Sequence, residues 1–195
     1  MQVEYKALAA VLAGYVDVLL CETMSSCAEG LAAATAAAST GCPWWMSFTV
    51  QDNTKGLLRS GERLGDAIAE VGGIPGMGAA LVNCSAPKSV SAAQPILAQA
   101  VPQGVRYGGY ANGFRQSTSE WRGEGGSEDT EVLDKDVVAS EDYDDGGDGI
   151  ITPSAYARYA GLWLQEGATI IGGCCGIGPA HIACVSELKE NMFNM

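Results

Sequence analysis

Two adjacent cysteines set in glycine, Gly172-Gly173-Cys174-Cys175-Gly176, follow the apolar run Ala168-Thr169-Ile170-Ile171. On an extended strand neighbouring side chains point to opposite faces, so adjacent thiols can meet one ion only where the backbone turns sharply. The flanking glycines permit such a turn. A third thiol, Cys84 in Asn83-Cys84-Ser85, closes another apolar run, Ala79-Ala80-Leu81-Val82. Three thiolates with one open coordination position describe a catalytic zinc site, and the open position is where chemistry takes place. The competing readings of the pair are a redox-active dithiol or two buried packing residues.

These residues need a scaffold, and the composition limits its kind. At 195 residues and 47% hydrophobic content, the chain can bury one substantial core, so a single domain over 1–195 is expected. Apolar stretches are broken well short of the roughly 20 residues a membrane span needs, and no basic segment precedes an apolar one at the N-terminus. Seven cysteines, an odd number without a dense regular framework, fit a reducing compartment, and the expected location is the cytoplasm. A net charge of −12 disfavours nucleic acid and anionic membrane as partners. Most of that charge lies between Ser117 and Thr152, where twelve acidic residues face only Arg122 and Lys135. This stretch, 117–152, is expected to be a flexible, solvated surface insertion rather than an ion-binding loop, because Asp142-Tyr143-Asp144-Asp145-Gly146-Gly147-Asp148 lacks full calcium-loop spacing.

Elsewhere short β-type runs alternate with helical ones, the pattern of an α/β fold with a parallel sheet and crossover helices. Strands are expected at Val16–Cys21, Trp44–Thr49, Ala79–Asn83, Val105–Tyr110 and Ala168–Ile171. Ser26-Cys27-Ala28-Glu29 supplies a capping box for an alanine-rich helix. Pro87 opens a helix expected to break or bend at Pro95, and Thr152-Pro153 and Gly178-Pro179 open the last two helices. A first helix, Met1 to about Ala13, is expected to turn Val3, Ala7, Leu8 and Val11 inward. Every chemically suggestive residue then falls at the C-terminal end of a strand: Glu22 and Thr23, Ser47 and Thr49, Asn83 and Cys84, Asn112, and Cys174 and Cys175. That edge is where parallel α/β folds bind ligands. An open doubly wound sheet and a partial (β/α)8 barrel both satisfy the periodicity.

Five segments in order resemble the homocysteine S-methyltransferase family: Asp17-Val18-Leu19-Leu20-Cys21-Glu22-Thr23, Pro43-Trp44-Trp45-Met46-Ser47-Phe48-Thr49, Arg59-Ser60-Gly61-Glu62, Asn83-Cys84-Ser85-Ala86-Pro87, and Gly172 through Ile182. The resemblance implies a partial (β/α)8 TIM barrel comprising strands four to eight, with Zn²⁺ held by Cys84, Cys174 and Cys175. It further implies homocysteine as methyl acceptor and S-methylmethionine, or in some branches betaine or a folate, as donor. Glu22 would bind the substrate ammonium group, with Ser47 and Thr49 near the same amino-acid moiety and Asn112 a further substrate-binding candidate. Two departures stand out, the absence of the first three strands and the acidic stretch. Without those strands the outer strands are open edges disposed to self-association or pairing. The alternative functional reading is a truncated, catalytically silent zinc-binding relative, or one part of a split or longer methyltransferase.

Among the remaining candidates, Cys21, Cys27, Cys42 and Cys184 lie in apolar or alanine-rich runs and are expected to pack. His181 is expected to cap or pack rather than ligate. Trp44, Trp45 and Trp163 are expected in the core or wall rather than in a cation-binding cage.

Overall fold

The computed structural model describes residues 1–114, 142–143 and 149–193. Its elements are α1 (Gln2–Leu12), β1 (Leu19–Met24), α2 (Cys27–Ala38), β2 (Trp44–Phe48), α3 (Leu64–Gly72), β3 (Met77–Asn83), α4 (Pro87–Ala100), β4 (Arg106–Tyr110), α5 (Pro153–Gln165), β5 (Ile170–Ile171) and α6 (Pro179–Phe193). All strands are parallel and lie in the sequential order β1-β2-β3-β4-β5. Periodicity cannot encode that order, yet it settles the architecture. A doubly wound sheet reverses direction at a switch point, whereas right-handed crossovers that always advance in one direction place every helix on one face. The chain therefore forms five consecutive units of a (β/α)8 barrel wall.

The helix-facing rows are apolar: Cys21, Met46 and Ala80 align in one and Phe48 and Val82 in the next. Against them pack Leu64, Ile68 and Val71 of α3, Val90 and Leu97 of α4, and Tyr156, Ala160 and Trp163 of α5, nearly all wholly buried. Trp44 and Trp163 belong to this core, and Trp163 Nε1 donates to Ser91 Oγ at 2.7 Å. The opposite rows carry Leu20 and Trp45, then Ser47 and Leu81, then Asn83 and Tyr110.

Helix ends follow the local chemistry in part. Ser26 Oγ accepts from the Glu29 N–H at 3.2 Å, half of a capping box. The Glu29 carboxylate instead takes the N–H and hydroxyl of Ser25, each at 2.8 Å. Thr152 caps α5 through the Ala155 N–H, and α4 runs unbroken through Pro95.

Helix α1 corrects an expectation. Val3, Leu8 and Val11 are 79%, 56% and 64% exposed and Ala7 is also exposed, while Ala9 is buried. The rotation is set by Tyr5, whose hydroxyl donates to Glu29 Oε1 at 3.2 Å and lies near Met24, turning the Tyr5–Ala9 side toward α2 and β1. The Val3–Leu8–Val11 stripe lies largely in solvent. Beside it a cavity of about 260 Å³ opens between α1, β1 and α2, with Leu8, Leu12, Leu20 and Glu22 in its lining.

Most of the acidic stretch, 117–141 and 144–148, lies outside the described residues, and with it the expectation of a flexible insertion there. Asp142 and Tyr143 within it are buried, contrary to a wholly solvated segment. Asp142 pairs with Arg158 and accepts from the Tyr159 hydroxyl at 3.5 Å, so α5 anchors it, and Tyr143 bridges Ile151 just ahead of that helix. Phe114 and Ile150 form an antiparallel bridge, which brings the two ends of the stretch together.

Candidate metal centre

The C-terminal edge of the sheet collects the thiols. β4 ends at Tyr110 and serves as the ruler for both cysteine segments: the Cys84 N–H donates to Tyr110 O at 3.3 Å, and the Cys174 N–H to Ala111 O at 2.9 Å. The ladder thus continues past β5 and delivers Cys174 beside the end of β3. A turn follows, closed by Ile177 N–H to Cys174 O at 3.1 Å, with Gly176 at φ +79° in the position that demands positive φ. Gly173 lets Ile177 fold back, since a Cβ there would lie 2.2 Å from Ile177 Cγ2. The Gly113 N–H then ties Cys175 O at 2.7 Å.

This turn brings two adjacent thiols onto one point, Sγ to Sγ 3.8 Å, and Cys84 joins them with all three sulfurs within 4.8 Å of one another. Sulfurs about 2.3 Å from a tetrahedral zinc stand roughly 3.8 Å apart. The Cys174–Cys175 pair already has that spacing, and Cys84 needs to close by no more than about 1 Å to reach it. The donor set therefore fits the ion. Cys84 and Cys174 are half-buried and Cys175 is exposed, so the cluster opens to one side.

Charge is shared unequally among the thiols. A hydrogen bond from Cys84 lowers the Cys174 pKa to about 6, against the opposing effect of burial. The same bond, together with burial, pushes Cys84 up, and burial raises Cys175.

Cys84 stands at φ +48°, a left-handed conformation that costs a non-glycine residue roughly 1–2 kcal/mol. Its surroundings are densely bonded. Ser85 Oγ accepts from the Val50 N–H at 3.0 Å, Thr49 Oγ1 lies 3.4 Å from Cys84 O, and the Asn112 N–H donates to Ser85 O at 3.1 Å. Asn83, wholly buried, accepts from Ser47 Oγ at 2.8 Å and donates to Thr23 Oγ1 at 2.7 Å, joining the ends of β1, β2 and β3. Ser47, Thr49 and Asn112 are all buried at this edge.

Glu22 is exposed on the open side and accepts from the Tyr110 hydroxyl at 3.0 Å. It lies near enough for its charge to oppose ionisation of Cys174. Burial first, and the Glu22 charge after it, hold the Tyr110 phenol above its usual range. Tyr110 and Asp52 are site residues the sequence did not single out, while Asn83 and Arg59 stood within quoted motifs without an assigned role. Tyr110 could have been found from its place at a strand end, but its partner lies 88 residues away.

His181 is no ligand here. Its Nδ1 accepts from the Gly178 N–H at 3.1 Å, which leaves the proton on Nε2 to donate to Ile151 O at 2.7 Å. Both nitrogens are spent on α6 and the residue before Thr152. Cys21 and Cys27 are buried, Cys42 and Cys184 half-buried, all outside the cluster. No described helix is long and apolar enough to cross a membrane.

Comparison with known proteins finds relatives of the same fold. The family described as homocysteine S-methyltransferase matches residues 2–188. Homocysteine S-methyltransferase 4 of Zea mays is 26% identical over 146 residues, 74% of this chain and 35% of that protein. Among solved structures, the homocysteine methyltransferase MmuM of Escherichia coli in its apo form matches with a TM-score of 0.64 at 23% identity, covering 96% of this chain and 57% of that one. Its metallated form matches with a TM-score of 0.65 at 23% identity, covering 96% and 52%. The chain thus spans 35% to 57% of the lengths of these relatives.

Proposed function

Because the chain belongs to the homocysteine S-methyltransferase family, we propose that it holds Zn²⁺ on Cys84, Cys174 and Cys175 and serves methyl transfer to homocysteine, with S-methylmethionine as donor and methionine as product. The observation that carries this reading is the gathering of three thiols, and no other described metal-binding cluster, at the C-terminal edge of the sheet with one side open. Zinc bound there would supply Lewis acidity, keeping a substrate thiol ionised at neutral pH. In the transfer, the homocysteine sulfur forms a bond to the donor methyl carbon as the sulfonium S–CH₃ bond breaks. The bond electrons leave with the donor, which departs as a neutral thioether, and the thiol proton goes to solvent.

The chain's own residues bind and orient. Glu22, exposed and steadied by the Tyr110 hydroxyl, is proposed to take the substrate ammonium group, its carboxylate being the charged acceptor on the open side next to Cys174. Ser47, Thr49 and Asn112 are proposed to shape the pocket for the amino-acid moiety from behind, through their bonds to Asn83, Cys84 and Ser85. The residues 1–195 form one homocysteine-binding domain in this reading.

One observation favours a second reading. Among the described residues β1 pairs only with β2, and Glu22 stands on that open edge, so the substrate side of the site has less wall than the metal side. A metal-binding chain that turns over poorly unless completed by further strands would have this structure.

Methionine formation from homocysteine and S-methylmethionine by the zinc-loaded chain tests the proposal. Activity is expected, abolished by Cys174→Ser and with KM for homocysteine raised at least tenfold by Glu22→Ala while zinc stays bound. Zinc-loaded protein that binds homocysteine without forming methionine would select the second reading, and protein that binds neither would refute both.

A further inference from the structure

We infer that Arg59 is a positioning residue for the metal centre, clamping the strained Cys84 peptide so that its sulfur meets the other two. The inference rests on the reading of Cys84 as a ligand. Position 84 must adopt positive φ to turn the chain off β3, which glycine would do freely, but glycine has no sulfur to offer. The strain must be held by neighbours, and the neighbours are specific. Arg59 Nη2 donates to Cys84 O at 3.1 Å, and Arg59 Nε donates at 3.2 Å to Thr49 Oγ1, itself 3.4 Å from the same carbonyl. The guanidinium also pairs with Asp52 at 3.4 Å, and the other Asp52 oxygen accepts the Ala86 N–H at 2.8 Å.

One ion pair thus grips both ends of the segment from Cys84 to Ala86. Its members are well shielded, with Arg59 23% and Asp52 7% exposed in their side chains. A planar fork with fixed donor directions can bridge a carbonyl, a hydroxyl and a carboxylate at once; an ammonium cannot reproduce that geometry. Arg59 lies in the loop between β2 and α3 and contributes nothing to the buried apolar core. Ser85 is fixed separately through Val50. Loss of Arg59 should therefore be felt at the Cys84 peptide more than in the fold.

The test compares the wild-type 195-residue chain, Arg59→Met and Arg59→Lys. Zinc affinity is read by chelator competition, the ligand field by Co²⁺ absorption, and metal-free stability by thermal unfolding. Arg59→Met should weaken zinc binding tenfold or more, as loss of groups that orient metal ligands does. It should also diminish the cobalt–thiolate charge-transfer band while the metal-free chain still unfolds in one cooperative transition, at a lower temperature because Asp52 loses its partner. Arg59→Lys should recover only part of the affinity. Wild-type affinity and cobalt spectrum in Arg59→Met would overturn the inference while leaving the metal reading intact. Failure of Arg59→Met to fold would overturn it too, by making Arg59 a determinant of the fold. A wild-type chain that binds neither metal would remove the metal reading and this inference together, before any variant is made.

Discussion

Asn83 is the joint of the site, and its removal should show a coupling that can be worked out beforehand. Its side chain bonds Ser47 on β2 and Thr23 on β1, but the two partners differ in their access to water. Thr23 is exposed, so water replaces its lost bond at little cost. Ser47 is wholly buried, and a buried hydroxyl stripped of its partner costs about 1–3 kcal/mol. Adding the packing lost at a fully buried site, Asn83→Ala should destabilise the metal-free chain by about 3 kcal/mol. Ser47→Ala strands the Asn83 Oδ1 acceptor and should cost about 1.5 kcal/mol. The double variant removes both partners, so its loss should fall short of the sum of the two by about 1 kcal/mol. Urea unfolding of the four proteins in a double-mutant cycle measures this. Additivity within about 0.5 kcal/mol would refute the view that Asn83 and Ser47 act as one unit.

Other consequences follow from particular residues. In the metal-free protein, alkylation at Cys174 should be half-maximal near pH 6 and be lost as pH falls below it, because its lowered pKa keeps it ionised at neutrality; Cys21 and Cys27, raised to about 11 and about 12, should stay unreactive. Peptide mapping after labelling across pH checks the order. His181→Ala should lose about 2 kcal/mol of stability with the bonds to Gly178 and Ile151, yet leave metal stoichiometry unchanged by elemental analysis, since neither nitrogen is free to ligate. Gly30→Ala should destabilise by about 1–2 kcal/mol in chemical denaturation despite better helix propensity, because the new Cβ would stand 2.6 Å from Phe48 Cζ in the packed interface of α2 with β2.

The C-terminal ends of β2 to β5 were legible because apolar runs stop abruptly at polar or sulfur-bearing residues, whereas β1 starts at Leu19 and runs past the expected Cys21 to Met24; Cys84, Cys174 and Cys175 stood out by type and by glycine spacing. Sheet order was not legible: each β/α unit looks alike whichever way the next crossover turns. The inner face of α1 was misjudged because Val3, Ala7, Leu8 and Val11 carry helical spacing on the exposed side, whereas Tyr5 orients the helix through a polar bond to Glu29. The capping box was half right, as Glu29 prefers Ser25. The clamp of Arg59 and Asp52 and the Glu22–Tyr110 pair depend on loops meeting across the fold, which local sequence does not record.

The central claim is that three sulfurs of this chain form one metal site with room for a substrate sulfur. X-ray absorption at the zinc edge, with and without homocysteine, tests it most directly. The expected result is three sulfurs at about 2.3 Å and one lighter ligand without homocysteine, and four sulfurs with it. Single Cys→Ser changes at Cys84, Cys174 or Cys175 should each remove one sulfur or the metal altogether. Zinc with fewer than three protein sulfurs, or an unchanged first shell at saturating homocysteine, would contradict the account.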